Sequence, residues 1–116
     1  MQKTAEDYFN SGNAKANLKD YRGAILDFNK AIELNPNNAN TYNNMGGAKA
    51  NLKDYKGAIE DFNKVIELNP KDAFAYNNRG LAKIDLGQKD SGCLDLSKAG
   101  ELGFAEAYES IKEFCN

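Results

Sequence analysis

The sequence predicts an all-α solenoid of three helix-turn-helix repeats closed by a short C-terminal helix, and three observations lead there. The chain resembles itself at a fixed interval: Ala5–Asn38 and Ala39–Asp72 are identical at 24 of 34 positions, including A-K-A-N-L-K-D-Y at Ala14–Tyr21 and Ala48–Tyr55. The register continues from Ala73, where 12 positions still match the second unit. Within each unit the apolar residues recur at helical spacing in two runs. Turn and cap residues fall at the same places in successive units.

Each element follows in order. Thr4 and Asp7 resemble a capping box ahead of a first helix at Ala5–Asn17. Asp20 supplies the N-cap acceptor for Tyr21–Leu34, and Pro36 ends that helix by disfavouring helical backbone in the residue before it. Asn38 caps Ala39–Asn51, Asp54 caps Tyr55–Leu68, Pro70 ends it, and Asp72 caps Ala73–Leu86. The sixth helix, Lys89–Leu102, carries two glycines and is expected to be the least stable. Phe104, Ala107, Tyr108, Ile111, Phe114 and Cys115 form one stripe of a last helix at Ala105–Cys115, which should cover the third hairpin. One domain over 1–116 is therefore expected, with repeats at about 5–38, 39–72 and 73–106 and a cap at about 105–115. Gly12, Gly46 and Gly80 interrupt helices at a cost of up to about 1 kcal/mol each, which implies close helix–helix approach.

The series Tyr8/Gly12/Ala24/Phe28/Ala31/Pro36, repeated as Tyr42/Gly46/Ala58/Phe62/Val65/Pro70, resembles the tetratricopeptide repeat. The resemblance runs from Ala5 to Glu106 and implies a right-handed α-α superhelix whose first helices line a concave face. The third unit departs from the pattern: Gly92 replaces the small alanine, Leu96 the aromatic, and Phe104 stands at the proline position. The tail K-A-G-E-L-G-F-A-E-A is similar to Sel-type repeats, as if a fourth repeat had been trimmed to a cap.

Composition narrows the function. Apolar residues are 41%, charged residues 28% and the net charge −2, so neither nucleic acid nor an anionic membrane is an expected partner. No apolar run is long enough to span a bilayer, and with Met1 as native start the cytoplasm is the expected compartment. The chain has no histidine, which removes the commonest general base, and its glycines do not cluster into a phosphate loop. Asp27 beside Lys30 and Asp61 beside Lys64 read as solvated helix faces. No enzyme, cofactor or metal site is expected. Cys93 and Cys115 read as small buried hydrophobes, with a disulfide between them as the alternative that needs oxidising surroundings.

What remains is a binding surface. The resemblance places Glu6, Phe9, Asn10, Asn13 and Asn17 on the groove, then Asn40, Asn43, Asn44, Gly47 and Asn51. Phe74, Asn77, Asn78, Leu81, Ile84 and Asp85 complete it. Asn10, Asn44 and Asn78 recur every 34 residues, a ladder of amides that can both donate to and accept from a peptide backbone. Phe74, Leu81 and Ile84 form a candidate apolar anchor, or else pack under the cap or seal a self-association contact. Lys15, Lys49 and Lys83 make another ladder, with stems packed and heads in solvent, or meeting an acidic partner. Some family members clamp the C-terminal carboxylate of heat-shock chaperones with two asparagines and three cations. Asn13 and Asn44 match that pattern, but Phe9, Phe74 and Asn78 stand at the cationic positions, so chaperone tails are not expected partners. The expected function is a scaffold that binds a protein or peptide in its groove, with homo-oligomerisation through terminal helices or the apolar stripe as the alternative.

Overall fold

The computed structural model describes residues 2–116, and every described regular element is an α-helix. They are α1 (Ala5–Asn17), α2 (Tyr21–Leu34), α3 (Ala39–Asn51), α4 (Tyr55–Leu68), α5 (Ala73–Asp85), α6 (Lys89–Glu101) and α7 (Glu106–Phe114). The chain is elongated, 53 × 25 × 20 Å, because each helical pair packs only on its sequence neighbours. No described helix is long and apolar enough to cross a membrane.

The caps act where the sequence puts them. Thr4 and Asp7 exchange hydrogen bonds at 3.1 and 2.9 Å, and Asp20 and Asp54 accept from the Gly23 and Gly57 amides at 3.0 Å. Asn38 and Asp72 accept from Asn40 and Ala75. Leu86 and Leu102 are C-caps rather than helical residues, and neither α6 nor α7 has a side-chain cap.

Ala24, Phe28, Ala31, Ala58, Phe62 and Val65 are buried at the centre of the first two hairpins. The glycine positions show why they must stay small. A Cβ on Gly12 would lie 2.6 Å from the Phe28 ring, and one on Gly46 would lie 2.8 Å from Phe62. The third hairpin solves the same problem with backbone on backbone. A Cβ on Gly80 would meet the Gly92 carbonyl at 2.7 Å, and one on Gly92 would meet the Gly80 carbonyl at 2.6 Å. Gly92 therefore replaces alanine because α5 and α6 approach more closely. Gly100 likewise receives the Tyr108 ring of α7.

Two expectations are corrected here. Cys93 and Cys115 are not free: their sulfurs are bonded at 2.08 Å. Cys93 occupies the position of Ile25, which packs toward the next repeat, so a covalent link replaces an apolar contact. The carboxylates Asp27 and Asp61 are also not solvated partners of Lys30 and Lys64, which reach Glu33 and Glu67 instead. They turn inward, toward the first helix of their own hairpin, and meet the lysine ladder there.

The link from α6 to α7 is also informative. Leu18–Lys19–Asp20 closes the first hairpin with Lys19 at φ 64° and the Asp20 amide donating to Lys15. The same turn recurs at Lys53 (φ 65°), Gly87 (φ 95°) and Gly103 (φ 108°), each with the matching long backbone bond. The fourth copy joins α6 to α7. The chain therefore enters its cap through a within-hairpin turn, and the proline-bearing turn between hairpins is absent there because Phe104 cannot dictate it.

Candidate functional site

One face of α1, α3 and α5 borders an open groove of about 560 Å3, lined by Asn13, Ala16, Asn17, Tyr21, Asn43, Asn44, Gly47, Ala48, Asn51 and Asn78. A smaller depression of about 260 Å3 continues it between α3 and α5, where Leu81 and Asp85 join Gly47 and Asn78. First helices supply this wall because their opposite faces carry the glycines that seat the second helices. Gly47 has no neighbour within 4 Å of a Cβ position, so the wall is open there.

Asparagine pairs cross the groove wall between consecutive repeats. Asn44 Nδ2 donates to Asn13 Oδ1 at 2.8 Å, and Asn78 Nδ2 donates to Asn43 Oδ1 at 3.5 Å. Each pair leaves one carbonyl and one amide group free for a ligand. Asn10 lies outside this set, in a separate depression with Glu6, Phe9, Asn35 and Asn38. Asn40 is exposed at the start of α3, away from the lining residues.

Two expected groove residues turn elsewhere. Asn77 is 8% exposed and buried in the helix packing, where its Oδ1 has no partner. Ile84 packs against Gly92 of α6. Phe74, Leu81 and Ile84 do not form one stripe, since ten residues at 100° each leave Ile84 about 80° off the Phe74 line. Leu81 borders the groove, while the Phe74 ring sits 4.7 Å from the Phe104 ring. Phe9, at a former cationic position, packs on Phe28 with centroids 6.2 Å apart. Tyr21 was not among the expected residues. Its signal was present in the sequence, because it opens each of the first two second helices together with Tyr55.

The lysine ladder is neutralised from behind. Lys15, Lys49 and Lys83 lie 2.9, 3.0 and 2.9 Å from Asp27, Asp61 and Asp95. The residue one turn earlier differs and sets each site's balance. Ser11 gives Asp27 a hydrogen bond of 2.6 Å, and Ser11 and Lys15 together outweigh burial to hold its pKa below the usual carboxylate range. In the second hairpin Met45 offers no donor. Burial then pushes the Asp61 carboxyl up despite Lys49, and Asp61 Oδ2 lies near the ammonium without a well-directed hydrogen bond. In the third, Arg79 grips Asp95 twice, at 2.8 and 2.7 Å, and reaches back to Asn63 of α4 at 3.0 Å. That pairing raises the Arg79 pKa. No described group of acidic or sulfur side chains could hold a metal ion.

This is a helical-repeat solenoid with a polar concave face, and known proteins agree. Residues 39–72 and 62–93 match models of the tetratricopeptide repeat, and residues 12–53 match a model of the TPR repeat. The chain belongs to the tetratricopeptide repeat family. Among solved structures, the first TPR of Spaghetti (RPAP3) bound to the HSP90 peptide SRMEEVD is 25% identical with a TM-score of 0.92, over 97% of this chain and 90% of that one. The Arabidopsis OM64 TPR domain is 27% identical with a TM-score of 0.92, over 96% and 93%. MamA from Desulfovibrio magneticus is 33% identical with a TM-score of 0.81, over 85% of this chain but only 56% of that one. No curated protein matches the chain in sequence. The fold is that of a protein-interaction scaffold, a class that is generally not enzymatic.

Proposed function

We propose that the concave groove takes an internal, extended segment of a partner protein, rather than a free C-terminal carboxylate. The observation that carries this is the groove's charge: its lining holds a run of asparagines and, at one end, the carboxylate of Asp85, but no cation. The three lysines behind it are held by Asp27, Asp61 and Asp95. A carboxylate terminus would enter without a countercharge, whereas peptide-bond groups meet both donors and acceptors. A lysine or arginine side chain of the ligand would find Asp85. Binding rests on amide contacts and the Leu81 wall, which fits an affinity on the order of micromolar.

The test is a random-peptide selection against the folded chain, counter-screened with the Asn44→Ala/Asn78→Ala double variant. Enrichment of internal sequences that the variant loses is the expected result. Enrichment of peptides that need a free, acidic C-terminus, or retention by the variant, would overturn the reading. Self-association is the second reading. It is favoured by Leu18, 81% exposed at the position where Leu52 faces α2 of the preceding hairpin. A monomer across a wide concentration range in sedimentation would end it.

A further inference from the structure

A second crevice lies outside the groove and shares none of its lining residues. Arg22, Ile25 and Leu26 of α2 face Lys49, Leu52 and Asp54 across about 460 Å3 at the junction of the first two hairpins. Its floor is apolar, and its rim carries Arg22, Asp54 and the Asp61-paired Lys49. Leu26 is 68% exposed, and the fold does not require it, because Glu60 occupies the same position in the second repeat. A leucine kept in solvent where a glutamate suffices is an anchor awaiting a partner.

The rim makes the same point independently. Lys53 stands between the crevice residues Leu52 and Asp54, and it and Lys19 at the matching turn of the first hairpin hold positive φ of 65° and 64°. Side chains with a Cβ pay for that conformation, and Gly87 and Gly103 serve the equivalent turns without the penalty. Neither lysine, nor Arg22, has an ion-pair partner among the described residues. The nearby carboxylate of Asp54 is committed to the Gly57 amide, and that of Asp20 to Gly23. Unpaired Arg22 and Lys53 beside the exposed Leu26 and Leu52 complement an acidic segment with an apolar side chain.

We infer that this crevice is a second docking site, which receives an acidic, leucine- or phenylalanine-bearing segment of a partner protein. The apolar side chain enters between Ile25, Leu26 and Leu52, and carboxylates meet Arg22 and Lys53. Apolar contact at the floor favours a protein over a nucleic acid, whose phosphates would use the rim alone.

The experiment titrates the intact, oxidised chain with a fluorescein-labelled peptide in which a leucine and a phenylalanine are flanked by glutamates. A counterpart with lysines in place of the glutamates serves as control. The glutamate peptide should bind and the lysine peptide should not, with affinity falling as salt rises. Leu26→Glu should weaken binding roughly tenfold or more. Lys53→Gly should weaken it about threefold while leaving the fold as stable or more so. Asn44→Ala/Asn78→Ala should bind the peptide unchanged, which separates this site from the groove. No binding, equal binding of both peptides, or insensitivity to Leu26→Glu overturns the inference. Loss in the asparagine variant instead would place the peptide in the groove. Equal affinity for a single-stranded RNA oligonucleotide, or oligomers of the chain dispersed by Leu26→Glu, would likewise refute a partner-protein site.

Discussion

Reduction of the Cys93–Cys115 disulfide should release α7 and lower stability by about 3 kcal/mol. The separation of 22 residues sets the magnitude, since cross-linking a loop of that size removes denatured-state entropy worth roughly 3 kcal/mol at 25 °C. Little else secures the cap. Helix α7 has 9 residues and no side-chain N-cap, and only Ala107 is fully buried within it. Isolated helices need on the order of 12–15 residues even in favourable sequences, so an undocked α7 would not stay helical. The stabilisation should therefore appear locally. Amide hydrogen exchange in Glu106–Phe114 should accelerate by roughly a hundredfold on reduction, while α1–α4 exchange as before. Urea unfolding of the Cys93→Ser/Cys115→Ser variant should show a midpoint lowered in proportion, and reductant should change that variant no further. Unchanged exchange in α7 on reduction would refute the reasoning, because it would mean that packing alone holds the cap.

Adjacent glycines in α3 should respond in opposite directions. Gly46→Ala should destabilise by about 1–3 kcal/mol as its Cβ meets Phe62, whereas Gly47→Ala, with open space around it, should stabilise by about 0.5–1 kcal/mol, both read from urea midpoints. The three aspartates should differ in the same assay. Asp27→Asn should cost about 1–3 kcal/mol at pH 7 and lose that cost as pH falls through the depressed pKa of Asp27, where the carboxylate's contribution disappears. Asp61 has the opposite sign: its raised pKa means that protonation favours the folded chain, so Asp61→Asn should be close to neutral at pH 7. Arg79→Met, which copies Met45 of the second repeat, should cost about 2–3 kcal/mol because Asp95 loses two hydrogen bonds and keeps only Lys83.

All seven helices were legible to within one residue at either end, because the signals that set them are local. Asp20, Asp54, Asn38 and Asp72 each act within three residues of the amide they cap. Orientation across helices was less legible. Asp27 and Lys30 share a helical face by spacing, yet Asp27 turns to Lys15 in the neighbouring helix, a choice that depends on the interhelical packing. Asn77 has the same spacing logic as Asn43 but is buried, a difference that the repeat spacing does not carry. The disulfide could not be settled from spacing either. It depends on α7 returning along α6, which follows from the turn at Gly103. A bond of this kind persists in oxidising compartments.

The two candidate faces are distinguished by what happens to their cations. Lysines recur in both settings at a 34-residue interval, Lys15 and Lys49 behind the groove and Lys19 and Lys53 at the turns. Each of the first pair is held within 3.0 Å of an aspartate from the second helix of its hairpin, so the groove presents amides without positive charge. The second pair has no such partner and sits in a backbone conformation that glycine would adopt at lower cost. One repeat unit thus carries two lysines four residues apart, one spent on joining its helices and one left in solvent. Packing accounts for the first. It does not account for the second, since the third hairpin makes the same turn with Gly87 and no charge at all.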